Sequence, residues 1–148
     1  MPTALDEIVK EMGEADVEER KEILIDFAKT LPPLPDRFVP LKDGEHRVHE
    51  CQSPVFLFAE VDKDCGAVSL YADAPIEAPT VRGFVSILIA GLTGAAVPDV
   101  LGVRTDLLTR LGLAEVLGML RMNGLNGVLN RMRSEVARAA AVAASSPD

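Results

Sequence analysis

The sequence predicts an α+β fold, because helix-period patterns at both ends of the chain enclose one stretch of strand-period alternation. Three observations carry this. Apolar residues recur at helical spacing from Leu5 to Leu31 and again beyond Val81, and strand-like runs are confined to the segment between Val48 and Asp73. The longest uncharged run, Gly83 to Pro98 (GFVSILIAGLTGAAVP), is shorter than the ~20 apolar residues a membrane span needs, so it reads as a buried core helix. With 148 residues, 48% of them apolar and 26% charged, one globular domain over residues 1–148 with a core of its own is expected.

The elements follow in order. Leu5, Ile8, Val9 and Met12 mark a first amphipathic helix. A second opens at Asp16, an N-cap residue followed by first-turn acids, buries Ile23, Leu24, Phe27 and Leu31, and stops near Thr30. It must stop there, because LPPLPDRFVP holds four prolines in ten residues, and this stretch is expected to be an ordered connector. A short strand at Val48 precedes a hairpin of VFLFAEV (55–61) and AVSLYAD (67–73), with Asp62, Lys63, Asp64 and Gly66 in the turn and Pro54 at the strand start or an edge. Pro79 then suits the first position of a long apolar helix carrying Phe84, Val85, Leu88 and Leu92. Short helices are predicted at Val97–Leu101 and Leu113–Leu117, and a last amphipathic one from about Asn123, fraying in AAAVAASSPD.

Charge narrows the function classes. Residues 1–64 carry 16 acids and 8 bases, a net of -8, whereas residues 65–148 carry 7 acids and 7 arginines, a net of zero. Nucleic-acid binding, which needs a basic face to displace phosphate counterions, is not expected. Every base after Lys63 is arginine, which suits bidentate contacts, although a GC-rich coding bias gives the same skew. Two cysteines make no disulfide framework and MPTALDEIVKEM lacks a signal-peptide pattern, so a reducing cytoplasm is the expected compartment.

The stretch HRVHECQSPVF places Cys51 among His46, His49 and apolar residues, and three readings of that thiol compete. As a zinc ligand with His46, His49 and Cys65 it would follow no zinc-finger spacing, and a seven-residue strand of roughly 3.3 Å per residue separates the cysteines. As a hydrolytic nucleophile it would need an oriented histidine and an oxyanion-hole turn, and no such turn follows it. As a small buried hydrophobe it would be typical of free cysteine. No GxxxxGK[ST], HExxH or GxGxxG after a strand points to nucleotide or metalloprotease chemistry.

From ECQSPVF, through YADAPIEAPTVRGFVSILIAGLTG, into LRMNGLNGVLNRMR, three segments in order resemble the SufE family of sulfur acceptors across roughly residues 20–140. The resemblance implies a curved antiparallel sheet of about three strands with helices packed on one face, similar to the SufE and IscU-like fold. It implies that Cys51 is the persulfide-forming cysteine on a loop between two strands, followed by Gln52 and Ser53. Asp73 falls at the family's acidic position after the hairpin, and Arg121 at an arginine implicated in docking or reactivity. Two departures stand out: Glu50 where the family usually has glycine, and Phe56 where it often has tryptophan.

The implied activity is sulfur transfer. Cys51 would take sulfane sulfur from a SufS-type cysteine desulfurase, stimulate that enzyme and pass the sulfur towards an iron-sulfur scaffold. The pyridoxal phosphate belongs to the partner, and this chain would hold neither cofactor nor metal. Such chemistry needs an exposable cysteine, a group favouring the thiolate, here His49, and no resolving cysteine nearby, which the distant Cys65 satisfies. A scaffold holding zinc or a cluster at Cys51 with His49 and an acid, a rhodanese-type sulfurtransferase as donor, and a pure interaction module are the alternatives.

Overall fold

The computed structural model describes residues 3–104 and 106–145. The first two helices, α1 (Ala4–Glu14) and α2 (Val17–Lys29), follow the expected pattern. Each begins where a side chain satisfies a free backbone donor: the Thr3 N–H donates to Asp6 Oδ2 at 2.7 Å, and Asp16 Oδ1 accepts from the Glu19 N–H at 2.9 Å. That accepted bond holds the Asp16 carboxyl below its usual range. Thr30 caps the end of α2, as the proline run after it requires. In the connector, Asp36–Leu41 winds into a 3-10 turn. Phe38 of that turn stacks on Phe58 and packs tilted against Tyr71, with ring centroids 4.8 Å and 5.0 Å away.

The hairpin consists of β1 (Phe56–Val61) and β2 (Val68–Asp73), paired antiparallel from Phe56↔Asp73 to Val61↔Val68. Period-two alternation divides its faces. Leu57, Ala59 and Val61 lie opposite Ala72, Leu70 and Val68 and turn towards the core, while Phe58 and Tyr71 turn towards the connector. The reversal between the strands is held by Asp62 Oδ1, which accepts from the N–H groups of Asp64 at 2.8 Å and Cys65 at 3.1 Å.

Against the inner face lie α3 (Pro79–Leu92), packed on β2, and α6 (Met119–Ser145), packed along β1. Pro79 opens α3, and the buried run Phe84, Val85, Ile87, Leu88 and Leu92 places this helix at the centre, with α1 and α2 on its far side. Between the two long helices the chain makes α4 (Val97–Leu101), α5 (Leu107–Arg110) and a 3-10 turn at Leu113–Glu115. A continuous apolar cluster runs from Leu5 to Val136. No described helix is long and apolar enough to cross a membrane.

Three expectations are corrected. The sheet has two strands among the described residues, not about three: the segment at Val48 makes a single bridge, Arg47↔Phe56, instead of a strand. The Val48 N–H donates to the Val55 carbonyl and the Leu57 N–H to the His46 carbonyl, but the chain then reverses at Cys51, whose N–H returns to the Val48 carbonyl. Pro54 on the returning arm has no N–H to extend the ladder. The predicted helix Leu113–Leu117 is only a 3-10 turn, because Gly112 and Gly118 leave too few residues between them to propagate an α-helix. The last helix begins at Met119 rather than Asn123, and α5 was not anticipated.

Candidate functional site

Cys51 sits at the tip of the loop joining the Arg47 bridge to β1, and its side chain is turned inward, with 6% of the residue exposed. The loop is attached to α6 along one stripe. The Nδ1 of His46 lies 2.5 Å from Oε1 of the buried Glu135, and Arg131 donates to the Glu45 carbonyl at 2.8 Å. Further along, the Cys51 thiol donates to the Gly124 carbonyl at 3.4 Å. Positions 124, 127, 131 and 135 are spaced three or four apart, so they share a helix face.

Little room remains for a side chain on this face of α6, least of all at residue 127. A Cβ at residue 124 would stand 3.2 Å from the Cys51 sulfur, and one at residue 127 would stand 2.6 Å from Glu50 Cβ and 2.8 Å from its Oε1. The backbone of α6 therefore forms the seat for the thiol, with no side chain between them.

This seat keeps the thiol protonated. Burial pushes the Cys51 pKa from 9.0 up to about 11, the Glu50 charge adds to the rise, and Arg47 opposes it. A cleft of about 400 Å³ opens beside the sulfur, lined on the loop side by Glu50, Gln52 and Ser53 and on the facing walls by Glu77, Leu120 and Arg121. Leu120 of this lining is 65% exposed, and Ile76 and Met119, next in sequence to the lining residues Glu77 and Leu120, are exposed by 75% and 82%, which gives the cleft an apolar rim.

Gln52, Ser53 and Arg121 thus share the cleft with Cys51, whereas two other candidates stand apart. His49 turns away, its Nε2 2.7 Å from the Gly44 carbonyl. Asp73 pairs with Lys42 at 2.6 Å at the far end of β2 from the hairpin turn, and does not line the cleft. Arg47 is the charge that favours the thiolate. Cys65 is exposed in the hairpin turn. Among the described residues, the one group of metal-donor side chains is Asp43, Glu45 and His46, and it contains no cysteine.

Sequence reasoning missed Arg47, Glu77 and the two glycines. A signal for the glycines was present: NGLNG puts them three apart inside a helical pattern, where each costs about 1 kcal/mol relative to alanine and so implies close packing.

Comparison with known proteins adds independent weight. The family model SufE, an Fe-S metabolism associated domain, matches residues 6–136. A SufE-like protein of Mycobacterium tuberculosis is 38% identical over 139 residues, covering 94% of this chain and 95% of that one. The cysteine desulfuration protein SufE of Plasmodium falciparum is 28% identical over 109 residues, covering 72% of this chain and 42% of the other. A solution structure of a hypothetical protein from Thermus thermophilus is similar with a TM-score of 0.81 at 34% identity, over 95% of this chain and 98% of that one.

Proposed function

This chain belongs to the SufE family, associated with Fe-S metabolism, and from that premise we propose that Cys51 accepts sulfane sulfur from a cysteine desulfurase and carries it towards iron-sulfur cluster assembly. The observation that carries the reading is the seat on α6: a thiol buried on bare helix backbone at the tip of a loop, beside an open cleft. A structural cysteine needs neither the cleft nor the loop.

Transfer requires the thiolate. Once the loop lifts from α6, the sulfur leaves the burial that holds its proton, and its pKa returns towards the ordinary range. Cys51 Sγ then attacks the outer sulfur of the donor's cysteine persulfide. A new S–S bond forms on Cys51, the donor's S–S bond breaks, and the donor cysteine leaves as a thiolate that takes up the proton Cys51 released. One sulfur moves without net oxidation. Reseating would place the persulfide against α6, away from solvent thiols. Pyridoxal phosphate does its chemistry in the donor, and an iron-sulfur scaffold is the destination.

Arg121, exposed on the cleft wall beside the rim of Ile76, Met119 and Leu120, supplies a cation to the docking surface. The test is stimulation of a cysteine desulfurase. Cys51→Ser is expected to abolish it. Stimulation that survives without the thiol would replace sulfur transfer with a purely docking role.

A further inference from the structure

Glu50 is the residue next to Cys51 in the cysteine loop, and its charge and that of Arg47 at the loop's base act on the sulfur in opposite senses. The Glu50 side chain is exposed at the mouth of the cleft and rests on Gly127. Among the described residues no ion pair engages it. When Cys51 lifts from α6 this carboxylate travels with it, since consecutive Cα atoms are about 3.8 Å apart. Any sulfur donor that reaches Cys51 therefore brings its own groups up to a negative charge one residue away.

That charge is only partly answered within the cleft. Glu50, Glu77 and Arg121 all line the cleft, so two carboxylates share one cation among the lining residues, and Arg47 acts on the thiol from outside that lining. Docking removes water from this region, and a carboxylate that loses water without gaining a cation or hydrogen-bond donor is strongly disfavoured. A donor offering a cation beside its sulfane sulfur offsets the loss, and one offering an anion adds repulsion.

Resting on the reading of Cys51 as sulfur acceptor, we propose that Glu50 is a specificity-determining residue, selecting donors that present a cationic group beside the sulfane sulfur and rejecting donors that are anionic there. The sulfur-transfer step itself is unchanged. Glu50 acts on which donor can be brought up to the thiol.

Charged methanethiosulfonates test this without the natural donor, because thiolate attack on them displaces methanesulfinate and leaves a mixed disulfide on the cysteine. The full chain carrying Cys65→Ser is treated with a trimethylammonioethyl reagent and, separately, a sulfonatoethyl reagent, and the two rates at Cys51 are compared. Both reagents meet the same loop, so their ratio cancels any change in its opening. Divided by the ratio the same two reagents show with a free thiol, which removes the thiolate's own preference, the cationic-to-anionic ratio at Cys51 is expected to be about tenfold, as for unit charges several ångströms apart in a wet cleft. Glu50→Gln should bring the ratio to about one-third of its value or less, and Glu50→Lys should invert it, while Glu77→Gln should largely preserve it. A ratio unmoved by Glu50→Gln, or lowered as far by Glu77→Gln, overturns the assignment. Persulfide loading from a purified cysteine desulfurase on the same variants is a separate readout: its absence in the unsubstituted chain would sink sulfur acceptance and leave the charge ratio interpretable.

Discussion

The two thiols of this chain lie on either side of strand β1, in surroundings that differ in nearly every respect that matters to sulfur chemistry. Cys51 precedes the strand, is buried against the backbone of α6 and donates to the Gly124 carbonyl. Cys65 follows it, exposed in a turn whose N–H groups bind Asp62. Access alone would make Cys65 the reactive thiol. What Cys51 has instead is a seat on bare helix backbone and a cleft beside it. The contrast teaches that, on the proposed reading of Cys51 as a carrier, the structure favours protection of the thiol over its access.

The largest consequence is kinetic. In the free protein at neutral pH, Cys51 is expected to react with iodoacetamide far more slowly than the exposed Cys65, because burial shields it and raising its own pKa from 9.0 to about 11 leaves about 100-fold less of it as thiolate. Peptide mapping of the time course reads both sites at once, and equal rates would erase the distinction. Binding of a desulfurase should raise the Cys51 rate alone.

The same burial makes stability depend on pH. Below pH 9 the thiol is protonated whether the chain is folded or not. Between pH 9 and about 11 the unfolded chain releases the proton while the folded one retains it, so stability falls as pH rises, by about 2 kcal/mol. Denaturant titrations across that range should show the loss, and Cys51→Ala should flatten it. An equally steep fall in the alanine variant would assign the effect to other groups.

Gly127→Ala sharpens the comparison by disturbing only one side of it. The added methyl would meet Glu50 Cβ at 2.6 Å, so the loop tip must move. Alkylation of Cys51 is expected to rise about tenfold as the closed state loses ~1–2 kcal/mol. Cys65 should keep its rate. An unchanged Cys51 rate would mean that the glycine seat does not hold the loop.

The smallest expected effect is that of Cys65→Ser, which should alter stability by less than about 0.5 kcal/mol, as for an exposed side chain in a turn. A larger change, measured by urea unfolding, would give Cys65 a structural part that its exposure does not suggest.

Much of this architecture was legible in the sequence where local chemistry decides the outcome. Asp16 starts α2, the prolines after Leu31 end its reach, Asp62 turns the hairpin, and Pro79 opens α3. Features set by long-range contact were not. The third strand reduced to one bridge because the chain reverses at Cys51, and nothing in Arg47–Val48 announces that. His49, two residues from Cys51, looked well placed to activate it, yet its ring is committed to the Gly44 carbonyl. The pair of half-buried His46 and buried Glu135 spans 89 positions and has no local signature. NGLNG was the exception: its glycines could have been read as a landing site for another segment.

The most direct test of the account is to locate the sulfur. Incubation with a cysteine desulfurase, pyridoxal phosphate and cysteine, followed by mass spectrometry under non-reducing conditions, should add about 32 Da per transferred sulfur. Peptide mapping is predicted to place that mass on Cys51, with Cys51→Ser abolishing it and Cys65→Ser leaving it intact. Sulfur found chiefly on Cys65, or an adduct that persists in Cys51→Ser, would contradict the account.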